Sequence, residues 1–187
     1  MDYLIVGLGN PTDRYYLTRH NVGFLSIDLI SDHYDIPVTK KYKKSVMGTG
    51  ALSGNRIFLM KPLTYMNLSG TVIRSAFAKH RISPEKLIII YDDIDLPLGK
   101  IRIRKDGGSA GHKGLQSILE NLQNKNFIRI RIGIHSDRKG SIPTEEFVLR
   151  KFDPEEMKII TQSLKKIPGI LDLLLNDSVE KAMNDFN

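Results

Sequence analysis

The chain has 187 residues, with 28 Lys and Arg against 21 Asp and Glu, for a formal net charge of +7. That length fits one domain spanning 1–187, since single cores stop growing only at roughly 250 residues. A content of 41% hydrophobic and 26% charged residues reads as a folded globular chain rather than a disordered one. The absence of cysteine excludes a disulfide scaffold, a thiol nucleophile and thiolate metal sites, and suits a reducing, cytoplasmic setting. No apolar run approaches the ~18 residues of a membrane span. The opening Met1-Asp2-Tyr3-Leu4-Ile5-Val6-Gly7 reads as a first strand, not a signal peptide. The basic excess points toward phosphate-rich partners, although many proteins of this charge have none.

In chain order, 3–8 is a short apolar strand ending in a turn, Gly-Leu-Gly-Asn-Pro. Residues 21–34 carry Val22, Leu25, Ile27, Leu29 and Ile30 at a spacing that predicts an amphipathic helix. A hairpin across Ser53-Gly54-Asn55 joins strands at 46–52 and 56–61, and Ser69 is positioned to cap a helix running to about 81. The run 86–92 is continuously apolar, which predicts a central strand covered on both faces. Two strands alternating basic and apolar residues, 99–105 and 128–134, read as half-exposed and flank a helix at 112–122. Residues 154–186 are expected to be helical, broken or kinked at Pro168-Gly169. Interleaved strands and helices predict an α/β fold, a single domain around a mixed central sheet with a helical C-terminus.

Four segments at predicted strand ends carry polar side chains, and strand ends are where α/β sheets build sites. The first runs from Gly7-Leu8-Gly9-Asn10-Pro11 through Tyr15 to His20 and Asn21. A dinucleotide fingerprint fails there, because Thr12 stands where the third glycine is required and Pro11 removes an amide. Asn10 offers a donor and an acceptor, and His20 is the segment's candidate acid-base side chain, although a lone histidine is more often a satisfied core or capping residue. In the second segment, 61–70, Tyr65 could stack on a base and Asn67 adds an amide, unless Asn67 and Ser69 only cap the next helix. The third holds Asp92, Asp93 and Asp95, compatible with a magnesium site, a carboxylate supporting a histidine, or a solvated turn. The fourth, 107–114, fits the G-x-S-x-G elbow of serine hydrolases at Ser109, with His112 or His135 as the only downstream histidines. A phosphate-loop pattern fails because His112 separates Gly111 from Lys113, yet a glycine-rich helix start beside a lysine remains a plausible anion site.

Arg102 and Arg104 share a strand face by period two, as do Arg129 and Arg131. If the strands are neighbours, they concentrate positive charge beside the fourth segment, with Lys105, Lys113, Arg138 and Lys139 close in sequence. Lys40 to Lys44 is a second basic run, by default a solvated face.

The ordered set of motifs at 7–11, 18–24, 61–70, 91–97, 108–112 and 129–134 resembles bacterial-type peptidyl-tRNA hydrolase over nearly the whole chain. The resemblance implies a monomeric α/β enzyme that hydrolyses the ester joining a peptide to the terminal ribose of tRNA, without metal or cofactor. By matching positions, it implies His20 as the catalytic base activating water, Asp92 as its supporting carboxylate, and Asn10 and Asn67 as amides holding the peptide. Tyr15 and Tyr65 fall where the family contacts the tRNA end, and the basic face with Arg104 and Arg131 would grip the tRNA backbone. Lys113 stands where the family often has Asn; its charged donors cannot copy an amide carbonyl, but suit a phosphate or ribose oxygen.

Overall fold

The computed structural model describes residues 1–176 and 178–187. In chain order it contains β1 (Asp2–Gly7), α1 (Val22–Tyr34), β2 (Lys40–Lys41), β3 (Ser45–Leu52), β4 (Asn55–Pro62) and α2 (Ser69–Lys79). There follow β5 (Leu87–Pro97), β6 (Ile101–Arg104), α3 (Lys113–Leu122), β7 (Ile128–His135), α4 (Thr144–Phe147), α5 (Pro154–Leu164), α6 (Ile167–Asn176) and α7 (Val179–Phe186). The strands form one mixed sheet in the order β2-β3-β4-β1-β5-β7-β6. The inner four, β4, β1, β5 and β7, run parallel, and antiparallel strands close both edges. All four parallel strands therefore end on the same side of the sheet. The α/β expectation holds.

Apolar residues of the central strands split by parity between two cores. Tyr3, Ile5, Ile88 and Ile90 pack with α1, α5, α6 and α7 on one face. Leu4, Val6, Leu87 and Ile89 pack with α2 and α3 on the other. Burial on both faces is why these strands read as unbroken apolar runs. The predicted hairpin is present: Ser53 and Gly54 both take positive φ between paired Leu52 and Asn55, as a tight turn matching strand twist requires.

Several sequence expectations need correction. The segment 91–97 is not a turn: β5 continues to Pro97, with a register irregularity against β7 between Asp93 and Pro97. Ser69 caps nothing. Leu68 holds the N-cap position, while the Ser69 hydroxyl is buried inside the first turn with no hydrogen-bond partner among the described residues. The C-terminal break falls between α5 and α6, ahead of Pro168, which sits in the first turn of α6 where its missing N–H costs nothing. Position 177 of that expected helical stretch lies outside the described residues. The two-residue β2 and the single-turn α4 carry too few residues to leave a periodic signal.

Candidate active site

The site begins with a close backbone approach. A Cβ at Gly7 would lie 2.0 Å from the Gly23 carbonyl oxygen, and one at Gly23 would lie 2.4 Å from Leu8 N and 2.5 Å from Ile90 O. Only glycine at both positions lets α1 rest directly on the ends of β1 and β5. The short 3₁₀ turn Arg19–Asn21 that leads into α1 is thereby brought over the carboxyl end of the sheet.

His20 meets Asp92 there. Its Nδ1 lies 2.8 and 2.9 Å from the two carboxylate oxygens, in a buried pair. Neighbouring side chains on a strand point to opposite faces, so Asp92 serves the α1 side while Asp93 turns to the other and accepts from Arg131 Nε at 2.5 Å. Asp95 N–H donates to Asp93 at 2.9 Å. The three acidic residues therefore do not converge on one cation. His112 Nε2 reaches the same Asp92 oxygen at 3.0 Å, and its Nδ1 accepts the Leu115 N–H at 3.1 Å, capping α3.

These bonds fix both tautomers. An ionised carboxylate only accepts, so His20 carries its proton on Nδ1 and keeps the Nε2 lone pair uncommitted in a residue that lines the cleft. His112 must carry its proton on Nε2, because Nδ1 is an acceptor. Burial alone would push the Asp92 carboxyl upward, but the electrostatic attraction and hydrogen bonds of His20 and His112 outweigh it and hold the group far below the ordinary carboxylate range.

Asn10 is gripped by Asn21, whose side-chain amide accepts from Asn10 N–H at 2.8 Å and donates to its carbonyl at 3.0 Å. The Asn10 side-chain oxygen accepts Met66 N–H at 2.9 Å. That leaves the Asn10 NH₂ as the donor available to a bound group.

A cavity of about 1170 Å³ opens over this cluster. Its lining includes Asn10, His20, Tyr65, Asn67, Asp92, Arg104, Lys113 and Arg131, so eight of the nine sequence-derived site residues share one cleft. Tyr15 is the exception: it stands outside the lining, half-buried, under the Arg14 guanidinium. Tyr65 projects, 57% exposed, and Asn67 and Lys113 also line an adjoining cavity of about 250 Å³.

The arginine-bearing strands are neighbours, with Arg102 opposite Arg131 and Arg104 opposite Arg129. One expectation fails within that cluster. Arg129 is not a half-exposed cation but 2% exposed, its guanidinium donating to the carbonyls of Gly108 at 2.7 Å and Gly107 at 2.6 Å over the Phe127 ring. It braces the glycine loop that carries His112. Arg131 is partly neutralised by Asp93. Among the described residues, Arg104 and Lys113 line the cleft with no ion-pair or hydrogen-bond partner.

Two further arrangements fall to the same geometry. A serine triad at Ser109 cannot use His112 as its base, since both His112 nitrogens are committed elsewhere. The ligand atoms of His20, Asp92 and His112 lie within 4.8 Å of one another, a spacing that invites a cation. Ligation through His112 Nε2 would send its proton to Nδ1, directly against the Leu115 N–H, so these residues fit a hydrogen-bonded relay better than a metal centre.

His112 and Asn21 are the site residues that sequence reasoning did not assign. His112 entered only as a partner for Ser109, and its position at the start of a predicted helix beside glycines was the available signal. Asn21 acts through a backbone clamp that leaves no pattern in sequence.

A polar cleft at the carboxyl ends of parallel strands, holding a histidine on a buried carboxylate, defines an α/β enzyme. The family model described as peptidyl-tRNA hydrolase matches residues 4–187. A peptidyl-tRNA hydrolase of Clostridium tetani is 42% identical over 185 residues, covering 99% of this chain and 97% of that protein. Another from Bacillus cytotoxicus is 42% identical over 184 residues, covering 98% of each. A solved structure of peptidyl-tRNA hydrolase from Acinetobacter baumannii superposes with a TM-score of 0.90 at 35% identity, covering 99% of this chain and 94% of that one. The chain belongs to the peptidyl-tRNA hydrolase family and is a hydrolase, as the motif resemblance implied. No helix among the described residues is long and apolar enough to cross a membrane.

Proposed function

We propose that this chain hydrolyses the ester between a peptide and the terminal ribose of tRNA, as a metal-independent monomer in the cytoplasm. The observation that carries the reading is one ionised carboxylate, Asp92, orienting His20 so that Nε2 is free to act as a base. A water held beside Nε2 attacks the ester carbonyl as His20 takes its proton, and Asp92 stabilises the imidazolium that forms. The Asn10 NH₂, aimed because the side-chain oxygen beside it accepts Met66 N–H, donates to the oxyanion of the tetrahedral intermediate. Collapse breaks the bond to the ribose oxygen, which takes the proton back from His20, releasing tRNA and the peptide acid, which gives its own proton to solvent.

Substrate contacts divide by chemistry. Asn67 offers its amide to the peptide, and Tyr65 an exposed ring to a terminal base. Arg104, Arg131 and Lys113 offer cations to phosphate or ribose oxygens, and Tyr15 extends the contact beyond the cleft. The test is release of peptide from peptidyl-tRNA in the presence of EDTA. Wild type is expected to keep its rate in the chelator and His20→Ala to lose about 10²–10⁴-fold in kcat. Near-normal turnover by His20→Ala refutes the assigned base, and loss of wild-type activity in EDTA refutes metal independence.

A further inference from the structure

We propose that Arg19 is a positioning residue for the base beside it, acting through its buried pair with Glu156. Arg19 Nη2 reaches both Glu156 oxygens at 2.7 and 2.6 Å, with the two side chains 3% and 5% exposed. Its Nη1 donates to the carbonyls of Arg150 at 3.2 Å and Lys151 at 2.7 Å. The guanidinium lies between the rings of Phe147 and Phe152, 4.2 and 5.1 Å from their centroids. Only a planar, forked cation satisfies a carboxylate, two carbonyls and two ring faces at once.

Glu156 is itself hydrogen-bonded to two other residues. It accepts from Ser136 Oγ at 2.6 Å, just past β7, and from Asp153 N–H at 3.1 Å, while Asp153 caps the first turn of α5 in return. The pair thus joins the end of β7 and the start of α5 to the residue preceding His20. The backbone repeats the connection. Arg19 N–H donates to Arg150 O at 3.1 Å and His20 N–H to Val148 O at 2.8 Å, and Thr18 bridges Lys151.

A buried ion pair contributes little net stability compared with apolar side chains of the same volume. Its distinct property is one permitted geometry. Here that geometry sets where His20 leaves the backbone, while Asp92 sets the orientation of its ring from a different strand. The strip gripped by Arg19 also carries Val148 and Leu149 on the cleft wall. Base and substrate wall are therefore held to a common frame.

This inference rests on His20 being the base, and the experiment separates the two. Arg19→Lys keeps the charge and loses the fork; Glu156→Gln keeps the shape and loses the charge, and it answers the question if the arginine variant does not fold. Each is assayed for kcat and KM with peptidyl-tRNA, for thermal unfolding, and by proton NMR for the His20 Nδ1–H resonance identified by its loss in His20→Ala. Expected is a fall in kcat of about 10- to 100-fold with KM within about twofold, together with a shifted or broadened Nδ1–H signal. Variants that unfold at lower temperature yet keep wild-type kcat and the same Nδ1–H signal overturn the proposal. An active His20→Ala would overturn the base assignment instead.

Discussion

Asp92 accepts from two imidazoles at once, and that sets the sign of its acid response. Its pKa is depressed in the folded state, so its contribution to stability is complete above the ordinary value of 3.8 and drains away as pH falls below it. Asp92→Asn removes the pH-dependent contribution. The drop in urea midpoint between pH 7 and pH 3 is therefore expected to be smaller in that variant than in wild type; an equal drop would mean that Asp92 is not held ionised by its neighbours. The same substitution lets His20 adopt the opposite tautomer, with a proton on Nε2 and no lone pair for water. We expect kcat to fall by about 10²–10⁴-fold while KM stays near wild type. At this scale the sequence was partly legible. His20, Asp92 and Asn10 could be located because their motifs occur as an ordered set, but the second imidazole on Asp92 could not, since His112 is equally well explained as a helix cap and in fact does both.

Elements matter through how closely they approach. α1 rests on β1 and β5 because Gly7 and Gly23 meet backbone to backbone. Gly23→Ala places a methyl group within 2.4 Å of Leu8 N and Leu8 O and must push the helix outward. Residues 19–21 ride on that helix, so His20 is expected to drift from Asp92, with kcat reduced by about 10²-fold and a lowered unfolding temperature in the same variant. Unchanged kcat would show that the turn at 19–21 is held independently of α1. The central strands were readable because burial on both faces leaves continuous apolar runs. The failures have physical causes too. Alternation shows that Arg129 and Arg131 share a face but not that the glycine loop covers one of them. Proline in a first helical turn and proline at a break look the same in sequence. The motif match separated Asp92 from Asp93, but the physical reason, opposite faces of one strand, needed β5 to continue through both.

At the scale of the whole molecule, the excess charge predicted a polyanion, and the fold gives that charge an uneven distribution. The arginine-bearing face of β6 and β7 opens onto the cleft, but one arginine braces a loop and another faces Asp93, leaving Arg104 and Lys113 as the cations there without a partner among the described residues. The cluster over the sheet also has an extreme sequence separation: His20 and Asp92 are 72 positions apart, and His112 lies 20 beyond Asp92. β1 must find both β4 and β5 in parallel before any of these groups meet. Parallel, non-local pairing is slow to form because loop closure precedes its reward. Catalytic competence is thus a late event in refolding. After dilution from denaturant, peptidyl-tRNA cleavage is expected to return with the slowest phase, well after most of the far-ultraviolet helix signal. Simultaneous recovery of both would mean that the helices consolidate only once the sheet has closed, making this cleft a timer for the last long-range contact of the fold.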